Sequence, residues 1–240
     1  MTHPHIHIIG AGKLGRTLSI LLSNRSITHT LHRRDFPSDL SGFIYCCVPE
    51  DMIGVVANQL QLDRQSILVH ASGSMGLDVL HPHTRHIGCL HPIQSFPGPE
   101  TSIPTVIPAT FQCHPEDHAY LWPIIQWFAN LVGFELYHYT GSRLNYHTAA
   151  VISGNFATIL LHQAASLLVK EGLSLEDACR LLQPLATTSI ANAHKGSLSD
   201  VLTGPIAREQ QTLLQVQAQN LSFDPDLQEL YNLMVKIAKR

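Results

Sequence analysis

The chain is poor in charge. Asp, Glu, Lys and Arg make up only 14% of its 240 residues, and the net charge is −3 with histidine neutral. Nowhere do more than two basic residues stand together, so the electrostatic footprint of a nucleic-acid-binding protein is missing. No C-x-x-C pair and no H-E-x-x-H helix occur, and the Cys/His spacing of zinc frameworks is absent, so no functional metal is expected. Two histidine groups do lie close in sequence. His3, His5 and His7 would share one strand face, and His81-Pro82-His83 stands near His86, yet neither matches such a framework. Long uninterrupted apolar runs are also lacking. The longest stretch, Thr148 to Val169, contains Asn155, His162 and Gln163, so it is not expected to span a membrane. The first apolar segment is too short for a secretory leader, and the chain is expected to be cytoplasmic.

What remains is a hydrophobic fraction of 45%, ample for a sizeable core and for an apolar subunit interface. Sixteen histidines make the charge balance sensitive to mildly acidic pH. Five cysteines, Cys46, Cys47, Cys89, Cys113 and Cys179, read as thiols. Cys46 and Cys47 lie in one strand and are expected on opposite faces of a sheet.

The most informative segment follows the apolar run Ile6-His7-Ile8-Ile9. It reads Gly10-Ala11-Gly12-Lys13-Leu14-Gly15 and leads into the helical pattern Thr17-Leu18-Ser19-Ile20-Leu21-Leu22. Strand, G-x-G-x-x-G and helix in that order mark a dinucleotide-binding turn. The first glycine permits the tight turn, the second admits a diphosphate, and the third lets helix and strand pack closely. The helix start supplies free N–H groups and partial positive charge for the phosphates.

Further short strand patterns follow at Thr28–His32, Phe43–Val48, Ser66–His70, His86–Leu90, Thr110–Gln112 and Glu135–Tyr137, alternating with helical patterns. That alternation predicts an α/β fold with a parallel sheet. From Ser142 helical periodicity takes over, punctuated at Gly172, Pro184, Gly196, Gly204-Pro205 and Asp224-Pro225. Ser174-Leu175-Glu176-Asp177 suits a capping box, and Pro205 and Pro225 suit first helical turns. The expected organisation is an N-terminal Rossmann dinucleotide-binding domain over residues 1–141 and an all-helical C-terminal domain over 142–240.

An NAD site usually places Asp or Glu at the end of the second strand, to bond the ribose hydroxyls. Here that place reads His32-Arg33-Arg34, and paired guanidiniums suit a 2′-phosphate, so NADPH is the expected cofactor. Asp35 is expected to lie too far round the loop. Val48 and Pro49 are expected against the ribose and nicotinamide, with Ser72 and Gly73 nearby. In the second half, Arg143, His147 and Asn155 fall near one helical stripe at 100° per residue. A carbonyl reductase needs a proton donor at the substrate oxygen, and histidine has a suitable pKa. His147 is the expected donor and His91 a second one. Asn155 and Ser72 are expected to polarise the oxygen, and Arg143 or Arg208 to hold a carboxylate.

In this order, several segments resemble the Rossmann-like proteins with a C-terminal DUF2520 domain. They are the glycine turn, Val48-Pro49-Glu50-Asp51, His70-Ala71-Ser72-Gly73, His91-Pro92-Ile93-Gln94-Ser95-Phe96, Tyr146-His147-Thr148-Ala149-Ala150 with Asn155, and Leu202-Thr203-Gly204-Pro205-Ile206-Ala207-Arg208. The resemblance implies a two-domain architecture similar to relatives of 6-phosphogluconate dehydrogenase and pyrroline-5-carboxylate reductase, usually a homodimer through the helical domain. It further implies a small-molecule substrate, with some members similar to an alternative ketopantoate reductase that uses NADPH. Two departures stand out: Arg208-Glu209-Gln210 replaces the Arg-Gly-Asp common in the family, and the Lys-x-x-x-Asn pair of β-hydroxyacid dehydrogenases is absent.

Overall fold

The computed structural model describes residues 3–80, 84–96, 98 and 104–239; the His81-Pro82-His83 group lies outside them. Two compact units divide at 150/151. The change of sequence pattern near residue 141 therefore precedes the division, which falls inside a continuous helix.

In the first unit, β1 (Ile6–Ile9), β2 (His29–His32), β3 (Phe43–Cys46), β4 (Ile67–His70), β5 (His86–Pro92), β6 (Ile107–Cys113) and β7 (Phe134–His138) form one sheet in the order β2-β1-β3-β4-β5-β6-β7. Helices α1 (Lys13–Asn24), α2 (Glu50–Gln59) and α3 (His118–Val132) cover it. Side-chain alternation along the strands feeds two cores. Ile8, Phe43, Tyr45, Ile67 and Val69 pack with Leu18, Leu22 and Phe128 of α1 and α3. Ile9, Ile44, Cys46 and Leu68 pack with Ile53, Val56 and Ala57 of α2. A sheet buried on both faces explains why these strands read as continuous apolar runs. Cys46 belongs to one core and Cys47 packs against the other, as the alternation requires. Burial pushes the Cys46 thiol up to about 12, so it stays protonated.

The sheet departs from the expected all-parallel pattern at one junction, where β5 and β6 pair antiparallel. Among the described residues no helix joins them, and a chain that returns without a crossover runs antiparallel. From β6 the chain passes through α3 to β7, and that pair is parallel again. Gly133 ends α3 in the left-handed region at φ 78, as its place in the sequence requires.

The second unit is helical, with α5 (Ala157–Lys170), α6 (Leu175–Asn192), α7 (Leu198–Val201), α8 (Gly204–Ala207), α9 (Gln211–Asn220) and α10 (Pro225–Ala238). Ser174 caps α6 by accepting the Asp177 N–H, Asp224 caps α10 through Leu227, and Pro205 and Pro225 occupy first turns. Pro184 does not punctuate the chain: α6 runs through it. Helix α4 (Arg143–Val151) continues into a π-helical turn at Ile152–Phe156 before α5. The wider turn breaks the regular 100° step, so the stripe that grouped Asn155 with Arg143 and His147 does not persist along the helix.

Candidate active site

Strand β2 lies on one side of β1 and β3 on the other, so the order in which strands are added reverses between β1 and β3. Ligands of open α/β sheets bind at that point, beyond the carboxyl ends of the strands. A cleft of about 1000 Å³ opens there, and its lining includes Gly10, Ala11, Gly12, Arg33, Val48 and Pro49.

The three glycines differ in what forbids a side chain. Gly10 has φ +111, and a Cβ there would lie 2.5 Å from the Cys47 carbonyl oxygen. At Gly15 a Cβ would lie 1.9 Å from the Gly10 oxygen. At Gly12 a Cβ would meet no protein atom within 4 Å. Packing therefore explains the outer two, whereas at the middle one the protein leaves open space that a ligand could approach. No side chain caps α1, and its first turn holds no acidic residue, so its N–H groups remain available to an anion. Lys13 is exposed, and Leu14 packs against the core.

Arg33 and Arg34 line the same cleft together with Arg16. Asp35 lines it too, contrary to the expectation that the loop carries it out of reach. His32, the last residue of β2, is buried, and its Nε2 lies 3.0 Å from Nδ1 of His7. It anchors the strand end that presents the arginines.

A second cluster forms at the carboxyl ends of β4 and β5. A Cβ on Gly73 would come within 2.7 Å of His147 Cδ2 and 2.9 Å of His91 Nε2, so both imidazoles overlook the bare face of this residue. Ser72 N–H donates to His70 Nδ1, and its carbonyl accepts from Arg143 Nη2 at 3.1 Å. Its hydroxyl donates to Glu50 while accepting the N–H groups of Ser74 and Met75. The Ser72 proton is thus committed inside the protein, and this residue shapes the turn that presents Gly73. Arg143 is likewise internal at 5% exposure, with Nη1 on Thr110 Oγ1 at 3.1 Å. Asn155 and Arg208 belong to the second unit, the former within the π-helical turn and the latter ending α8.

Electrostatics distinguish the polar groups. Burial, reinforced by the Arg143 guanidinium, pushes both His70 and His91 down to about 4, so both are neutral at pH 7. Burial opposes ionisation of Glu50, but hydrogen bonds from Ser72 and Ser74 and the nearby His147 hold its carboxyl below the usual range. The depressed histidines link stability to pH. An unfolded histidine binds a proton near pH 6.5, whereas these two resist until about 4, so their contribution is complete above pH 6.5 and lost as pH falls toward 4. At pH 5 each is expected to cost about 2 kcal/mol of stability relative to pH 7. Urea midpoints at the two pH values check this; a His70→Gln variant that loses as much as the unaltered protein would contradict it.

The doubly wound sheet and its switch-point cleft place the chain among the dinucleotide-binding folds. It belongs to the DUF2520 family, a domain of unknown function whose profile matches residues 116–237. No curated protein matches the chain. Among solved structures, it is similar to a Bacteroides fragilis protein ascribed to the NADP oxidoreductases, at 21% identity over 99% of each chain with a TM-score of 0.76. A Thermotoga maritima protein is 21% identical over 98% of this chain and 96% of its own, with a TM-score of 0.71. A Plasmodium falciparum pyrroline carboxylate reductase with NADP bound is 16% identical over 100% of this chain and 98% of its own, with a TM-score of 0.60.

Three neighbours of the expected site residues were not legible as such. Glu50 stood in a quoted segment, but its bonds to Ser72 and Ser74 depend on how α2 meets the turn after β4. Tyr146 Oη lies 2.8 Å from His91 Nδ1, and Thr110 stands opposite His91 in the β5–β6 register. Its position beside a candidate histidine could have flagged Tyr146. Thr110 carried no sequence signal.

Proposed function

We propose that this protein is a cytoplasmic, NADPH-dependent reductase of a small carboxylated carbonyl compound, with 2-dehydropantoate, reduced to pantoate, as the leading substrate. The observation that carries this reading is a cleft with an open glycine and three guanidiniums on the same sheet edge as a bare Gly73 flanked by two imidazoles. The solved NADP-bound relative of the same fold supports the choice of cofactor. Gly10, Ala11, Gly12 and the first turn of α1 would hold the diphosphate, Arg33 and Arg34 the 2′-phosphate, and Val48 and Pro49 the ribose and nicotinamide side. Bound NADPH supplies the hydride. His147 donates the proton to the developing oxyanion, and His91 adds a hydrogen bond. The Arg143 terminal nitrogens are engaged inside the protein, so a substrate carboxylate would need another cation.

His147→Ala is expected to lower kcat about 10²-fold or more while leaving the NADPH dissociation constant unchanged. Equal loss of turnover and cofactor affinity would assign His147 to binding instead. A second reading, reduction of a cyclic imine, draws on the pyrroline carboxylate reductases among the solved relatives, and an imine that arrives protonated needs less help from an acid. Following NADPH oxidation across a panel of 2-keto acids, 2-dehydropantoate and cyclic imines separates the two. If the cofactor binds and none of the panel oxidises it, a non-catalytic NADPH sensor is the better account.

The partner is proposed to be a second copy of the chain, with neither nucleic acid nor membrane involved. In the second unit Leu181 is 63% exposed, Leu185 68% and Ile190 61%, while its fully packed apolar residues among those described include only Ala165, Ala178, Leu214 and Leu221. Faces this apolar are ordinarily covered by a subunit. The continuous helix Arg143–Lys170 is long and apolar enough to cross a membrane, but its start is anchored in the first unit through buried Arg143 and Tyr146. Sedimentation equilibrium is expected to give twice the chain mass; a monomer at micromolar concentration would contradict the pairing.

A further inference from the structure

The turn that follows β4 uses its backbone donors unevenly. Ser72 N–H goes to His70 Nδ1 at 3.2 Å, and the N–H groups of Ser74 and Met75 go to Ser72 Oγ at 3.1 and 3.0 Å. Among the described residues no hydrogen bond uses the N–H of Gly73, although this residue is buried. Buried backbone donors are rarely left unpaired, and one that is needs a physical reason. We propose that the Gly73 N–H is a hydrogen-bond donor to the substrate's reacting oxygen, strengthened through the Ser72 carbonyl by Arg143 and Cys89.

The direction of this donor follows from the peptide that carries it. The Ser72 carbonyl accepts from Arg143 Nη2 at 3.1 Å and from Cys89 Sγ at 3.1 Å, and both donors are buried. In a trans peptide the N–H points opposite to the C=O, so the Gly73 N–H faces away from this interior pair. The groups themselves fix the sense of both bonds. A guanidinium only donates and a carbonyl only accepts. Burial pushes the Cys89 thiol up to about 12, so it retains the proton it donates. Two donors on one carbonyl, one of them charged, draw electron density to its oxygen and leave the N–H of the same amide more positive. Solvent that meets this N–H in the free protein is displaced when a substrate oxygen arrives.

The neighbouring imidazoles set its reach. A Cβ on Gly73 would lie 2.9 Å from His91 Nε2 and 2.7 Å from His147 Cδ2. The Gly73 nitrogen is one covalent angle from that point, so it stands at most about 5.5 Å from His91 Nε2. Two donors that each lie about 2.9 Å from one oxygen can be up to about 5.8 Å apart. The amide and the His91 ring are therefore close enough to share an acceptor. This role rests on the proposed reduction. As hydride reaches the carbonyl carbon, the π pair moves to oxygen, the N–H stabilises that charge, and His147 delivers the proton there. Arg143 and Cys89 act through the peptide and are positioning residues.

Two measurements test the role. The first needs neither cofactor nor turnover. The full chain is labelled with ¹³C′-serine and ¹⁵N-glycine, so that only the amides of Gly42, Gly73 and Gly154 follow a labelled carbonyl, and Ser72→Ala identifies the Gly73 signal by its loss. Cys89→Ala and Arg143→Gln are each expected to move the Gly73 ¹⁵N signal upfield, and Cys89→Ser to restore it. A signal unmoved by both Cys89→Ala and Arg143→Gln would overturn the polarisation. The second replaces the Ser72–Gly73 amide by an ester, with glycolic acid in place of Gly73, which removes the N–H and adds no atom. The ester is expected to lower kcat about 10²-fold with the NADPH dissociation constant unchanged. Unchanged kcat would overturn the role, and an equal loss of NADPH affinity would assign the N–H to the cofactor instead. A substrate panel without turnover removes the reductase reading and this role with it, whereas turnover that survives the ester removes this role alone.

Discussion

Gly12→Ala is expected to fold normally and to bind NADPH about 10- to 100-fold more weakly, the loss of one or two charge-assisted backbone contacts. Gly15→Ala is expected to fail for a different reason. The added methyl carbon meets open space at Gly12 but would sit 1.9 Å from the Gly10 carbonyl oxygen at Gly15, where strand and helix already touch. Overpacking of that severity costs about 3 kcal/mol or more, which lowers the melting temperature by about 10 °C in a chain of this size. Gly12→Ala gives up only a modest capping preference, within about 1 kcal/mol. The paired measurement is thermal unfolding beside cofactor titration. If Gly12→Ala binds NADPH as well as the unaltered chain, the middle glycine is not approached by a diphosphate. If Gly15→Ala keeps its melting temperature, the packing account of the third glycine fails.

The double variant Arg33→Ala/Arg34→Ala is expected to bind NADPH about 10²-fold or more weakly while leaving NADH affinity nearly unchanged. Each guanidinium can give charge-assisted hydrogen bonds to a 2′-phosphate, and these are worth about 1.5–3 kcal/mol. Asp35 sharpens the prediction. It shares the cleft with both arginines, and with them removed its carboxylate is free to accept ribose hydroxyls, which favours NADH. The ratio of the two dissociation constants is therefore expected to invert. Equal loss of both cofactors would show that the arginines act on charge shared by NADH and NADPH, such as the diphosphate.

Local signals made the first unit legible. Strand β1, the glycine turn and α1 are contiguous, and each glycine's demand is met within a few residues or by the adjoining strand. The buried faces of β3 and β4 were visible as continuous β-branched and aromatic runs. Pairing direction was less accessible, because alternation of elements carries no mark of where a crossover is omitted, and β6 reversed the sheet there. The π-helical turn at Ile152–Phe156 was hidden for a similar reason: nothing in Ile152-Ser153-Gly154-Asn155-Phe156 announces one widened turn in a long helix. His91, Ser72, Gly73, Arg143 and His147 were all found as candidates, and the structure gathers them around one turn. What the sequence could not assign was their bonding. That Ser72 serves Glu50, that Arg143 bonds Thr110, and that Tyr146 meets His91 depends on register and long-range packing.

The most direct measurement is calorimetric titration of the purified full chain with NADPH and, separately, NADH at pH 7. One NADPH site per chain, tighter than that for NADH and weakened in Gly12→Ala, is the predicted result. A folded protein that takes up neither nucleotide would contradict the cleft's assignment, and every catalytic role given to His147 and His91 would fall with it.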